Sequence, residues 1–235
     1  MNIIVIGASS GIGYYVSNYL SKKSQNKVGG LARRSENIPT SLDFREKADV
    51  KDLNSLQHAF EGFVKNFGKI DSVIYTAGIQ LIKPLKVCKE EEIVDVIQTN
   101  LIGAIRASKL FLNPKLTSKQ SVFIAISSIA SLKPDKGIIP YSISKSGIDN
   151  LVKGLALESA PRRCFSIQPG WIDTEMTSNL SNIYDKNFKS ELIKNTPTDP
   201  ANLKSISQFI SFLISNKSKS MTGQSYTIDG GITLT

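Results

Sequence analysis

The sequence predicts an α/β fold: a doubly wound parallel sheet of about seven strands flanked by helices. Three observations carry that reading. Short apolar runs alternate with helix-spaced segments along the 235 residues. The first run, residues 2–6, follows Asn2 with four β-branched apolar residues, the pattern of a strand buried on both faces. It then passes through Gly7-Ala8-Ser9-Ser10-Gly11-Ile12-Gly13 directly into a helix. The length suits one domain, residues 1–235, with a single core. There is no internal repeat, low-complexity tract or linker.

Each element follows in order. The glycine-rich turn and a helix over 11–24 make a phosphate cradle, because glycines admit close backbone approach and a helix start presents N–H groups to an anion. The spacing is Gly-x-x-x-Gly-x-Gly, unlike the usual dinucleotide fingerprint. Residues 27–32 read as a second strand, weakened by Gly29 and Gly30 and ending in Arg33-Arg34. In a Rossmann-type sheet this strand end lies under the adenosine ribose, where an acid binds the 2′-hydroxyl and arginine accommodates a 2′-phosphate. Ala32 stands where the acid is expected, so NADP(H) is favoured over NAD(H). A third strand over 44–50 ends at Asp49-Val50, a helix covers 53–67, and a fourth strand covers 70–75 before Thr76-Ala77-Gly78. A long helix spans 89–111 and contains Gln98-Thr99-Asn100. A fifth strand, 121–126, runs into Ser127-Ser128, and a helix covers 141–159. The sixth strand, 164–168, is broken by Pro169-Gly170. Residues 175–200 are polar and read as a substrate lid; a helix over 201–215 and a strand over 224–228 close the chain.

Composition excludes several classes. Hydrophobic residues at 40% and charged residues at 21% are ordinary for a soluble globular protein. The formal charge of +9 is scattered over the sequence, apart from Lys22-Lys23, Arg33-Arg34 and Arg162-Arg163. That is a solvated surface and not a nucleic-acid stripe. Cys88 and Cys164 make no metal spacing with the single His58, so no metal site is expected and a reducing compartment is. No apolar run approaches membrane-spanning length, and the expected location is the cytoplasm, with no membrane partner.

Tyr141-Ser142-Ile143-Ser144-Lys145 puts a phenol and an ammonium on one helix face. Tyr19 and Lys23 share that spacing on what reads as surface, so context decides. Ser128 lies at the C-terminal end of an apolar strand, where crevices in such sheets hold ligands, and the glycine turn faces the same crevice. A neighbouring ammonium favours the phenolate and lowers the phenol pKa from about 10. Tyr141 can then protonate a forming alkoxide while a nicotinamide delivers hydride. Ser128 can hold the carbonyl oxygen, and Lys145 the ribose hydroxyls.

These motifs together resemble the short-chain dehydrogenase/reductase family in its compact form, from residue 2 to about 231. The resemblance implies cofactor binding by Gly7, Ser9, Ser10, Gly11, Ile12 and Gly13, with Arg33 and Arg34 at the ribose. It further implies Asp49 and Val50 at adenine, Thr76, Ala77 and Gly78 after the fourth strand, and Pro169, Gly170, Ile172 and Thr174 at the nicotinamide. Asn100, Ser128, Tyr141 and Lys145 fall on its catalytic positions. The chain departs from the pattern at Ile6, at Tyr75-Thr76 in place of two asparagines that tie the first and fourth strands, and at Phe165. The expected partner is a small carbonyl or alcohol substrate with an apolar body, bounded by Ile79, Gln80, Leu81, Ile129, Ile139, Trp171 and residues near 176–180. A homodimer or homotetramer through the helices at 89–111 and 141–159 is implied as well. A catalytically silent NADP-sensing regulator and a nucleotide-sugar epimerase are the alternatives. Four intact chemical residues oppose the first, and the short chain and its glycine spacing oppose the second.

Overall fold

The computed structural model describes residues 1–178 and 186–235. Its strands are β1 (Asn2–Ile6), β2 (Lys27–Ala32), β3 (Phe44–Lys47), β4 (Ile70–Tyr75), β5 (Thr117–Ile126), β6 (Arg163–Pro169) and β7 (Gln224–Ile228). All pair in parallel in one sheet, in the order β3-β2-β1-β4-β5-β6-β7. The order reverses between β1 and β4, which opens a crevice beyond their C-terminal ends. The helices are α1 (Gly11–Ser21), α2 (Leu53–Phe67), α3 (Glu90–Ile97), α4 (Gly103–Phe111), α5 (Ile139–Glu158), α6 (Glu175–Ser178), α7 (Lys186–Asn195) and α8 (Leu203–Ile214).

Two cores sandwich the sheet, as continuous apolar strands require. On one face Ile4 and Ile6 meet Phe60 and Phe63 of α2, Phe111 of α4 and Ile148 of α5. On the other, Ile3 and Val5 meet Val16 and Leu20 of α1 and Ile206 and Ile210 of α8. The glycines of β2 make room for these layers. A Cβ on Gly29 would come 2.7 Å from the Phe63 ring, and one on Gly30 would come 2.6 Å from Ile38. Phe165, another departure, is fully buried with its ring 6.1 Å from that of Tyr226.

Several boundaries differ from expectation: α1 stops at Ser21, short of residue 24, other ends shift by one or two residues, and three larger differences shape the site. β3 stops at Lys47, short of Asp49-Val50, because the Asp49 carboxylate accepts the Lys51 N–H at 2.9 Å and turns the chain. β5 begins at Thr117, earlier than residue 121, with a register shift opposite Ile70 and Ser72. The helix expected over 89–111 is interrupted by a π-helical turn, Gln98–Ile102, between α3 and α4. Within the expected lid at 175–200, α6 and α7 are seen, and residues 179–185 lie outside the described residues.

Tyr75 explains how the π turn is held. Its fully buried hydroxyl donates to the Thr99 carbonyl at 2.5 Å, and burial pushes the phenol pKa far up, keeping it a donor. Gly103 leaves the space: a Cβ there would overlap that hydroxyl and lie 3.0 Å from the Val50 Cβ. Gly103→Ala should cost about 1–3 kcal/mol by overpacking, and Tyr75→Phe about 1–2 kcal/mol by orphaning the carbonyl. In urea unfolding the double variant should lose less than the sum, since removing the hydroxyl relieves the clash; strict additivity would contradict this contact.

Candidate active site

The crevice is built first by the glycine turn. Gly7 has φ +93°, and a Cβ on it would lie 2.6 Å from the Ala77 nitrogen, so the turn after β1 is pressed against the one after β4. A Cβ on Gly13 would overlap the Gly7 carbonyl oxygen. Ser10 caps α1 without a side-chain capping bond, and the first turn holds no acid. That leaves a positive helix end of the kind that binds a pyrophosphate. Ser9 and Ile12 flank it, Ile12 lying partly buried against the α1 core. Thr76 ties the two strands: its Oγ1 and its backbone N both donate to the Ile6 carbonyl, at 2.7 and 2.8 Å. Threonine thus performs the strand tie that the family's asparagines make, and Tyr75 is free to pin the π turn.

That turn aims Asn100 at the crevice. The side chain is fully buried, accepts the Ile79 N–H at 2.8 Å, and donates to the Ile79 carbonyl at 2.9 Å and to Ser144 Oγ at 3.0 Å. It therefore clamps the loop after β4 to α5. Gly78 lies beside both: a Cβ there would stand in ordinary contact with Asn100 Oδ1 at 3.4 Å and Lys145 Nζ at 3.5 Å.

Lys145 is buried, with 4% exposure, and its Nζ donates to the Ile126 carbonyl at 2.8 Å. Burial pushes its pKa down to about 8, with the Asp149 carboxylate opposing the fall. The ammonium lies 5.6 Å from the centre of the Tyr141 ring, inside cation–π range. Helix α5 is seated by Ser127 Oγ, which donates to the Lys145 carbonyl at 3.1 Å; within the helix Ser144 Oγ donates to the Tyr141 carbonyl at 2.6 Å. Ser128 follows β5 in extended conformation. Its Oγ accepts the Ala130 N–H at 3.1 Å, and its carbonyl accepts from Ser131 Oγ at 2.7 Å.

Beneath these residues runs a buried polar network that the sequence reading did not single out. Gln168 Nε2 donates to Ser131 Oγ at 3.0 Å and to Asp149 at 2.8 Å, and Ser166 Oγ donates to Asp149 at 2.6 Å. It links the Ser128 loop, the Tyr141–Lys145 helix and β6. Asp149 was detectable, being four residues after Lys145; Gln168 was not, since its partners come from three separate elements.

Beyond β6, Pro169 pairs with Ile228, and a Cβ on Gly170 would come 2.9 Å from the Asp229 Cα. Ile172 is buried, and its carbonyl accepts from Thr177 Oγ1 at 3.0 Å. Thr174 lies over the glycine turn, with its Cβ 3.5 Å from where a Gly11 Cβ would stand. Arg33 is exposed, whereas Arg34 is paired with Glu175, which no local signal foretold. Val50 is buried below the β3 end, and its carbonyl accepts from Arg106 at 3.3 Å.

A cavity of about 540 Å³ is lined by Tyr15, Trp171, Ile172, Leu192 and Ala201 among others, beside the segment after β6, and includes none of Asn100, Ser128, Tyr141 or Lys145. Among the described residues no group of three His, Cys, Asp or Glu could hold a metal, and no helix is long and apolar enough to cross a membrane.

Comparison with known proteins bears on the family and the fold. A family model described as enoyl-(acyl carrier protein) reductase matches residues 8–233. The chain is 30% identical to a 3-oxoacyl-(acyl-carrier-protein) reductase of Chlamydia muridarum, over 97% of this chain and 96% of that one. A short-chain dehydrogenase family protein of Francisella tularensis superimposes with a TM-score of 0.86 at 25% identity, covering 100% of this chain and 99% of that one. An actinorhodin polyketide ketoreductase variant solved with NADPH gives 0.88 at 24% identity, covering 98% and 96%.

The buried ammonium has a signature in stability. Between about pH 8 and 10.5 the unfolded chain keeps a proton on Lys145 that the folded chain has shed, so its contribution to the unfolding free energy rises with pH. Below that window both states are charged and the full burial cost is present. Relative to the parent, Lys145→Met should be most favoured near pH 7, with the difference shrinking towards pH 10 in urea unfolding. A difference independent of pH would contradict a buried ammonium.

Proposed function

The chain belongs to the short-chain dehydrogenase/reductase family, oxidoreductases of carbonyl and alcohol groups, and on that premise we propose that it is an NADP(H)-dependent carbonyl reductase with Tyr141 as proton donor. The observation that carries this reading is the buried Lys145 ammonium 5.6 Å from the Tyr141 ring, at the C-terminal edge of the sheet.

The crevice fits a dinucleotide. Gly7 and Gly13 let the turn fold tightly against Ala77 and the Gly7 carbonyl, where side chains would clash, and the α1 start offers N–H groups without an acid of its own. The turn Gly7–Gly13, with Ser9, Ser10 and Ile12, would take the pyrophosphate, and Arg33 and Arg34 a 2′-phosphate. Asp49 and Val50 would border adenine, and Thr76–Gly78, Pro169, Gly170, Ile172 and Thr174 the nicotinamide half. When bound, NADPH supplies the hydride.

The chain's own residues manage the oxygen. Ser128 Oγ accepts the Ala130 N–H, so its O–H remains to donate to the substrate carbonyl. Tyr141 passes its proton to the alkoxide as negative charge develops, and the Lys145 ammonium stabilises the resulting phenolate in a low-dielectric setting. Asn100 fixes the Ile79 wall and α5 relative to each other, so donor and substrate pocket keep one spacing. In alcohol oxidation the same groups run in reverse.

We further propose one dinucleotide-binding and catalytic domain with a substrate lid at 175–200. Ile79, Leu81, Ile129 and Ile139 would wall the substrate and favour an apolar body. The 30% relative is by its name a 3-oxoacyl-(acyl-carrier-protein) reductase, so that substrate class is tested first. Exposed Val94, Ile105, Ile143 and Leu157 suit a homodimer or homotetramer through α3, α4 and α5.

In an NADPH-consumption assay over ketones, quinones, sugars and acyl thioesters, Tyr141→Phe should lower kcat about 10²–10⁴-fold while NADPH still binds. Full activity in that variant would refute the assignment. NADPH should bind more tightly than NADH and Arg33→Ala should narrow the gap; equal affinities in the parent would refute the cofactor choice. Light scattering at micromolar concentration should give a dimer or tetramer mass, and a monomer mass would count against the interface.

A further inference from the structure

The arginine expected to hold a 2′-phosphate already holds a carboxylate. Arg34 Nη1 lies 3.0 Å from Glu175 Oε1 and Nη2 lies 3.3 Å from Oε2, a two-point fork, while Nη2 is also 3.5 Å from Ser10 Oγ in the glycine turn. Carboxylate and phosphate are the anions that a planar guanidinium grips through this same edge. Arg34 keeps Glu175 below the usual carboxylate range, so it is ionised at neutral pH.

The backbone delivers Glu175 to that place. The Thr174 side chain lies over the glycine turn, its Cβ 3.5 Å from where a Gly11 Cβ would stand. Thr177 Oγ1 donates to the carbonyls of Ile172 and Thr174, both at 3.0 Å, and accepts the Thr174 N–H at 2.9 Å. These bonds fix the start of α6 over the crevice. The result is a carboxylate at the end of β2, where Ala32 itself supplies none.

We propose that Glu175 is a specificity-determining residue, an internal anion that competes with the 2′-phosphate of NADP(H) for Arg34. A dianionic phosphate and a carboxylate repel each other at one fork, so NADP(H) binds only by displacing Glu175. NAD(H), with a neutral 2′-hydroxyl, leaves the pair in place. Among the described residues Arg33 faces no such competitor and acts as the second cation. The preference for NADP(H) is thereby set lower than two adjacent arginines would give, and cofactor binding is coupled to the position of α6. This inference rests on the NADP(H) reading above.

The pair is half exposed on both sides, and exposed ion pairs shift equilibria by up to about fivefold. The test is the Kd of NADPH and of NADH, by fluorescence titration, for the parent, Glu175→Gln, Arg34→Ala and the double variant, with unchanged thermal unfolding as the folding control. Glu175→Gln should tighten NADPH binding about two- to fivefold and leave NADH unchanged. On the Arg34→Ala background the same substitution should bring no gain beyond relief of general repulsion, seen as less than half the single-variant effect. A Glu175→Gln variant with an unchanged or lower NADPH-to-NADH affinity ratio would overturn the inference. Failure of the cofactor reading shows separately, as equal Kd values in the parent; failure of the competitor shows in the change on substitution, whatever the parent ratio.

Discussion

A lysine ammonium removed from water is the constraint to which the rest of the crevice answers. Desolvation works against its charge, and its pKa falls to about 8, so most molecules still carry the proton at neutral pH. The Ile126 carbonyl takes one of its donors and the Tyr141 ring lies within cation–π reach. Low dielectric then strengthens its influence on the neighbouring phenol. Keeping water from that ammonium requires a fixed surround, which the Asn100 clamp between Ile79 and α5 provides.

Asn100 in turn depends on an irregular helix. A π turn at Gln98–Ile102 inserts one extra residue and redirects the side chain inward. Tyr75 holds the turn by its Thr99 bond, and Gly103 yields the volume the phenol needs. Tyr75-Thr76 therefore divides two tasks between two side chains: one ties β4 to β1, the other ties β4 to the π turn. The Asp149–Gln168–Ser131 network carries the same positioning to Ser128 and β6.

Local pattern made the strands, the glycine turn and the Tyr141–Lys145 spacing legible in sequence. Residues 2–6, 27–32, 53–67 and 70–75 fall where periodicity put them, because apolar runs with clear glycine or charged ends leave few alternatives. The π turn was hidden, since Gln98-Thr99-Asn100 keeps helical composition and only a tertiary bond from Tyr75 selects the wider turn. The β3 end was hidden by Ala48 and Val50, which extend an apolar pattern that an Asp49 side-chain bond cuts short. Glu175 was out of reach for another reason: its partner lies 141 residues away, and no spacing rule connects two loops across a crevice.

The pH dependence of carbonyl reduction at saturating NADPH examines the central claim, that the Lys145 charge makes Tyr141 a usable acid. Reduction needs a protonated phenol, so the rate falls as pH rises through its ionisation. Removing the ammonium in Lys145→Met should move that descending limb to higher pH, with a lower plateau rate. A limb at the same pH in both proteins would show that the lysine does not govern the tyrosine proton.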